Sequence, residues 1–288
     1  MRSLAGRTLA TLAAAVTAAV AAAGAASAGG GPAPGVTAGW DGVRAPAAPV
    51  RYVAIPSGAG TTAVAAVSVR GGRVTRFAVV KGDLGVPIVA FDGTTDGLSA
   101  DGSRLVLASF AQPGSASATR FAVLRTKTLR VERAITLPGA WAFDAVSPDG
   151  ATVFAVEYLS QGEVPAYRVR AIDVASGRPL PGQIVDRREP GEKMIGLPYA
   201  RALGERGWVY TLYGKPDGTA FVHALDTSQK SAVCIDLPWR GLSNAIGSVR
   251  LAVDGGTLTL RQAHIGRLAV VDLRRFEVRA FRRPVARS

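Results

Sequence analysis

Cysteine occurs once in the 288 residues, at Cys234, so no intramolecular disulfide can form. A chain of this length buries enough surface to do without one. Histidine occurs twice, as His223 and His264, which excludes a multi-histidine metal site by count. Asparagine occurs once, as Asn244, and the Asp-x-Asp-x-Asp-Gly calcium pattern is missing. No Gly-x-Ser-x-Gly nucleophile elbow is present. The near misses, Gly97-Leu98-Ser99-Ala100-Asp101 and Gly241-Leu242-Ser243-Asn244-Ala245, do not end in glycine. There is no glycine-rich phosphate loop. Aromatics make up only 7% of the chain, so the core must be built from small and β-branched side chains. Beyond the N-terminus no long segment carries a helical hydrophobic period.

The N-terminus is what the sequence does have in the way of a long apolar run. Arg2 and Arg7 precede a stretch from Leu9 to Ala25 broken only by Thr11 and Thr17, and Ala26-Ser27-Ala28 is a small-x-small cleavage site. This reads as a signal peptide over residues 1–28, cut after Ala28, with a retained membrane anchor as the alternative. The chain is therefore expected to be secreted or extracytoplasmic and associated with the cell envelope. Residues 29–48 are mostly Gly, Pro and Ala, and read as a flexible linker. The formal charge is +13, and removing the leader leaves 32 basic and 21 acidic residues, or +11. Such a surface favours anionic partners, and export removes nucleic acid as the ordinary one.

From residue 49 to the C-terminus, short runs of Val, Ile, Ala and Leu alternate with Gly, Pro, Asp and Ser clusters, which is strand punctuation. One design recurs. Ser99-Ala100-Asp101-Gly102, Ser147-Pro148-Asp149-Gly150 and Val253-Asp254-Gly255 each open an apolar strand, and Leu203-Gly204-Glu205-Arg206-Gly207 is a degenerate copy. Tyr52-Val53-Ala54-Ile55 stands where a fifth such strand is due. In these turns Pro presets φ, Asp bonds amides two residues on, and Gly takes the positive φ of a tight reversal. A second strand follows each copy and ends at Asp173, Asp226 or Asp272, with Arg125 and Ser68 aligned to them. The five positions are spaced 57, 48, 53 and 46 residues apart. That period, with about four strands per unit, predicts an all-β fold, a β-propeller of four-stranded antiparallel blades. Five blades are expected, with six as the alternative. The first unit lacks an evident innermost strand. Residues 36–43, around Trp40, are one source for ring closure. Pairing of the last strand, Phe276–Arg282, with the first blade is the other.

Through Ser147-Pro148-Asp149-Gly150 and Ile172-Asp173-Val174-Ala175-Ser176-Gly177, the chain from about residue 50 onward resembles YVTN/WD40-like repeat proteins. Those relatives usually close with seven blades, and this chain departs from that number. The stretch from Tyr167 to Pro238 also resembles a group of exported actinobacterial proteins, through Arg187-Arg188-Glu189-Pro190-Gly191-Glu192-Lys193-Met194 and Phe221-Val222-His223-Ala224-Leu225-Asp226-Thr227. That group has no established activity, so the resemblance implies an architecture and no mechanism. Propeller hydrolases of the lactonase type hold a divalent ion with Glu, Asp and Asn, a set this chain scarcely supplies.

The densest polar cluster is Asp186 to Lys193, in the longest insertion between strands. As a binding loop at one rim it would offer Arg187 and Arg188 to an anionic group through forked hydrogen bonds. Glu192 and Lys193 belong to the same loop, Tyr199 and Arg201 follow it, and Glu157 and His223 lie on nearby strands. The plainer reading of the loop is a solvated face, of His223 a buried side chain, and of Cys234 a buried small hydrophobe. The arginine-rich C-terminus reads either as a charged, soluble edge or as an electrostatic tether to wall or membrane. The expected function is a non-catalytic binding or interaction scaffold. Its partner would be a protein, a wall polymer or an anionic ligand, with peripheral contact to an anionic envelope surface. A monomer without cofactor, metal site or catalytic residue is expected. The alternatives are a lyase or hydrolase using carboxylates and arginines at the rim, and a wall-associated structural protein.

Overall fold

The computed structural model describes residues 36–286 apart from 38, 110–117, 161–165, 192–193 and 243–244. The chain divides into two units, residues 1–30 and 31–288, and all described residues belong to the second. The expected signal peptide lies outside them. Among the described residues no helix is long and apolar enough to cross a membrane.

The fold is an all-β, five-bladed propeller of antiparallel sheets. Blade 1 consists of Gly39–Arg44, Val50–Pro56, Thr61–Ser68 and Val74–Lys81. Blade 2 has Arg104–Ala108, Ala118–Arg125 and Arg130–Pro138. Blade 3 has Trp141–Val146, Thr152–Tyr158, Tyr167–Asp173 and Arg178–Pro179. Blade 4 has Leu197–Leu203, Trp208–Gly214, Ala220–Asp226 and Ser231–Asp236. Blade 5 has Val249–Asp254, Thr257–Gln262, Gly266–Asp272 and Glu277–Ala280.

The repeat read from the sequence maps onto this architecture residue by residue. Ser68, Arg125, Asp173, Asp226 and Asp272 each end the third strand of a blade, or its equivalent in blade 2. Asp173, Asp226 and Asp272 then accept amide hydrogen bonds from the turn that follows. The Ser-x-Asp-Gly turns are closed by Ser99 and Ser147, whose hydroxyls donate to Asp101 and Asp149 at 2.6 Å. The Ser147 hydroxyl, ahead of the Ala151 amide, holds Asp149 below the usual carboxylate range. Neighbouring turns also tile along one rim. The Asp101 amide donates to the Pro148 carbonyl at 3.0 Å, and Arg104 reaches the Asp149 carbonyl at 2.5 Å while pairing with Glu132 at 2.9 Å.

In blade 1 the innermost strand is Gly39–Arg44, drawn from the 36–43 stretch named as one source for it, although it also lies inside the range 29–48 read as linker. Composition hides it, because Gly and Ala suit a linker but also permit close approach. Gly42 has φ +51, and a Cβ there would sit 2.0 Å from the Tyr52 carbonyl oxygen. The last strand, Glu277–Ala280, pairs with Gly266–Asp272 in its own blade. Among the described residues blade 2 has no regular innermost strand. Bridges from Gly85 to Ala108 and from Leu98 to Leu105 hold the two ends of an insertion beside Arg104–Ala108, and Val86–Pro87 pairs with Val36–Thr37.

Successive blades share apolar layers. Tyr52, Ala54, Val64 and Ala66 meet Leu105, Leu107 and Leu124. Val106, Phe121 and Val123 meet Phe143, Val153 and Ile172. Phe154, Val156 and Val169 meet Val209, Tyr213 and Phe221, and Leu212, Val222 and Ile235 meet Leu258, Leu260 and Val271. Among the described residues no such buried cluster joins blade 5 to blade 1.

Two glycines on blade 2 separate steric from conformational need. Gly97, at φ +114, would place a Cβ 2.6 Å from the Val106 carbonyl oxygen and 3.2 Å from Pro87, whereas Gly102, at φ +70, has open space around it. Gly97→Ala is expected to destabilise the fold by about 2–4 kcal/mol, from backbone strain plus a clash that backbone cannot relieve. Gly102→Ala should cost only about 1 kcal/mol. Urea unfolding of the two variants reads the difference, and equal losses would contradict the steric argument.

Candidate functional site

The insertion of blade 2 carries the inner residues of the site. The Phe91 and Asp92 amides donate to the carbonyls of Pro198 and Tyr199 on blade 4 at 2.9 and 3.0 Å. The Thr95 hydroxyl donates to the Gly42 carbonyl of blade 1 at 2.7 Å. The segment is thus pinned to the innermost strands of two other blades, and it delivers Asp96 to the interior. Asp144 comes from blade 3, at a bulge where register shifts between Phe143 and Ala145. The shift turns both its carbonyl and its carboxylate toward blade 4. Arg201 comes from the innermost strand of blade 4.

These three close on one another. Arg201 Nη1 lies 3.5 Å from Asp96 Oδ2 and donates to the Asp144 carbonyl at 2.5 Å, while Nη2 pairs with Asp144 Oδ1. The Arg201 amide donates to Asp92 Oδ2 at 3.2 Å. The Arg201 side chain is 1% exposed and those of Asp96 and Asp144 are 7% and 3%. Two buried carboxylates thus face one guanidinium. Burial pushes Asp96 up to about 6, opposed by Arg201 and the Gly97 amide and assisted by the Asp144 charge. Against the same desolvation, Asp144 and Asp96 keep Arg201 protonated.

A row of polar residues continues outward from Arg201 across blade 4. Arg201 is paired with Thr211, Thr211 with His223, and His223 with Cys234. All four are buried. His223 Nδ1 is 3.7 Å from Cys234 Sγ, and burial lowers the imidazole's affinity for a proton. His223 Nε2, Arg201 Nε, Asp144 Oδ2 and the Tyr167 hydroxyl make no hydrogen bond among the described residues. The Tyr213 ring lies 6.1 Å from Tyr167 and 6.2 Å from His223. At the outer end the Cys234 amide donates to Asp186 Oδ2 at 2.7 Å, and Arg188 donates to the Cys234 carbonyl. A polar seam therefore runs between blades 3 and 4 from the insertion to the loop around residue 186. Among the described residues no group of three or more metal-ligating side chains converges.

That loop also walls a cleft of about 490 Å³. Leu159, Ala166, Ile184, Val185, Met194 and Ile195 make it mainly apolar, with Tyr167, Arg168 and Gln183 as its polar side chains. Among the described lining residues Arg168 is the charged one, and it is engaged by Glu157 at 2.6 Å.

The residues singled out from the sequence are dispersed by the fold. Arg187 stacks over Phe276 of blade 5 at 5.8 Å, and Arg188 faces Asp186 at 3.6 Å. Both anchor the loop to blades rather than forming an open fork. Glu157 sits in a ladder with Arg168 and Arg170 on blade 3. Tyr199 packs against Phe91 at 5.6 Å. Arg201 and His223 lie in the buried seam, and Glu192 and Lys193 lie outside the described residues. Asp96, Asp144, Tyr167 and Tyr213 were not singled out. A signal existed for Asp144, the single charge within Trp141-Ala142-Phe143-Asp144-Ala145-Val146. None existed for Asp96, which stands in an ordinary-looking turn sequence.

No protein-family model and no curated protein matches the chain. Among solved structures it is similar to the S511A mutant of puromycin hydrolase in complex with PGG. There identity is 19% over 86% of this chain and 38% of that one, with a TM-score of 0.48. TolB from Acinetobacter baumannii is 12% identical over 82% of this chain and 53% of its own, with a TM-score of 0.44. AztD from Citrobacter koseri is 11% identical over 82% and 61%, with a TM-score of 0.36. The chain thus spans less than two thirds of each of these proteins.

Because Asp96 binds its proton more tightly folded than unfolded, the folded state holds more protons between about pH 4 and pH 6. Its stabilising contribution is complete below about pH 4 and is lost as pH rises through about 6, an effect on the order of 2–3 kcal/mol. Asp96→Asn should remove this slope, so the stability difference between wild type and variant should change across that window. Chemical denaturation at several pH values measures it, and parallel profiles would refute the assignment.

Proposed function

We propose that this chain is an exported, non-catalytic binding propeller that uses the cleft between blade 3 and the 182–191 loop. The observation that carries the reading is where reactive groups lie. Asp96, Asp144 and Arg201 are spent on each other and sealed from solvent. Among the described residues the open concavity is walled mainly by apolar side chains, with Arg168, paired to Glu157, as its charged group. General acid–base chemistry needs two titratable groups within reach of a substrate, and the described wall of the cleft does not offer a pair. A mainly apolar hollow with a few polar groups suits a ligand with a hydrophobic body and one hydrogen-bonding end. The positive charge of the chain and the signal-like pattern of its first 28 residues support placement at an envelope surface.

The dye 1-anilinonaphthalene-8-sulfonate is a suitable probe, being apolar with one anionic end. Saturable fluorescence enhancement is expected for the wild type, with a loss of about tenfold or more in affinity for Leu159→Asp/Ile195→Asp. Both changes lie on exposed parts of the wall, so folding should survive. Undiminished dye binding by the variant would remove the cleft as the site. Covalent labelling by a fluorophosphonate would instead reveal a reactive serine and overturn the non-catalytic reading.

A further inference from the structure

Blade 1 has two unlike faces. One carries Tyr52, Ala54, Val64 and Ala66 into the layer shared with blade 2. The other is a grid set by strand register. Its rows are Ile55, Ala63 and Val79, then Val53, Ala65 and Phe77, then Arg51, Val67 and Val74. Eight of these nine residues are apolar. Val53, Ala65 and Val67 are buried, but the outer strand is left open, with Phe77 63%, Val79 61% and Val74 47% exposed. Val69, in the adjoining turn, is 42% exposed, and Ile55 37%.

Blade 5 does not supply a matching surface. Its face turned away from blade 4 presents Arg250 and Asp254, then Thr257, Thr259 and Arg261, then Val270 and Asp272. The Arg250, Asp254, Arg261 and Asp272 positions are exposed. An apolar grid does not pack stably on a charged one, because each buried charge would lose its hydration.

The charge around the apolar grid is mainly positive, Asp83 at its far end being held by the Gly58 and Gly60 amides at 2.9 and 3.0 Å. From residue 42 to 82 the sequence holds six cations, Arg44, Arg51, Arg70, Arg73, Arg76 and Lys81, and no acid. Arg70 and Arg73 sit in the turn that joins the last two strands, beside Val69 and Val74, and Lys81 ends the outer strand beyond Val79. No salt bridge involves any of the six among the described residues. Two copies joined through this face would bring like charges together. An anionic lipid surface instead offers hydrocarbon for Phe77, Val74 and Val79 and negative headgroups for the surrounding cations.

We infer that the outer strand of blade 1 is a membrane-docking edge that inserts Phe77 and its valine neighbours into an anionic lipid leaflet. This surface is separate from the cleft beside blade 3 and does not depend on the reading given to that cleft.

A local probe tests it without interference from the N-terminal apolar run. In a Cys234→Ala background of the full chain, an environment-sensitive nitrobenzoxadiazole dye is attached at Phe77→Cys or, as a control, at Val131→Cys. Val131 is comparably exposed, at 42%, on the outer strand of blade 2. Vesicles of phosphatidylglycerol and phosphatidylcholine should blue-shift and brighten the dye at position 77 and leave position 131 unchanged, and phosphatidylcholine alone should do neither. Adding Arg70→Ala and Arg73→Ala should weaken apparent vesicle affinity by about an order of magnitude. The inference is overturned if position 77 does not respond or if both positions respond alike. It is also overturned if the dye at 77 is already shielded in solution and Phe77→Ser/Val79→Ser converts an oligomer to a monomer, which would make the face a protein interface.

Discussion

The burial of Arg201 between Asp96 and Asp144 is the constraint on which the interior arrangement depends. Each member comes from a different blade: an insertion of blade 2, a bulge in blade 3, and the innermost strand of blade 4. Removing three charges from water costs several kcal/mol per ion, which the Arg201 pairings with Asp96 and Asp144 offset in part while Arg201 Nε and Asp144 Oδ2 make no hydrogen bond among the described residues. The demand fixes local structure in turn. Asp96 reaches Arg201 only because Gly97 permits a close pass beside Val106, and because Thr95 ties the insertion to blade 1. Asp144 can offer both carbonyl and carboxylate only because the strand pairing slips at that residue. Burial is the main reason Asp96 keeps its proton to a raised pH, and the Asp144 charge adds a smaller push in the same direction.

The same cluster moves the search for function outward. Charged groups that satisfy one another inside the protein cannot also meet a ligand. The seam Thr211–His223–Cys234 extends them to the periphery, and its outer end secures the segment carrying Asp186 and Arg188. That segment continues into the wall of the cleft. In the described part of the loop read as an anion site, Arg187 also stacks over Phe276 and Arg188 also reaches Asp186 and the Cys234 carbonyl, and both remain exposed. The loop also walls an apolar hollow open to solvent.

The two ends of the blade series differ in the same terms. Interior blades are apolar on both faces, because each is covered twice. The fifth blade ends the series with charged residues on its outer face, which water can solvate. The first blade ends it with exposed valines and a phenylalanine flanked by arginines. That asymmetry gives the molecule one edge chemically suited to lipid.

By itself the sequence determined the repeating unit. A strand–turn grammar is local: Asp and Gly dictate the reversal, alternation dictates the faces, and a near-fifty-residue rhythm dictates the blade. Ser68, Arg125, Asp173, Asp226 and Asp272 could be aligned correctly before any coordinates because each closes its own turn. Tertiary structure alone decided which residues meet. Gly39–Arg44 became an innermost strand although its composition suits a linker, since pairing with Val50–Pro56 supplied what local propensity did not. Arg201 was noticed as a neighbour of a surface loop, yet its partners are 57 and 105 positions away in the chain. Ion pairing across such separations leaves no periodic trace, because it depends on distances through space that only the packed blades establish.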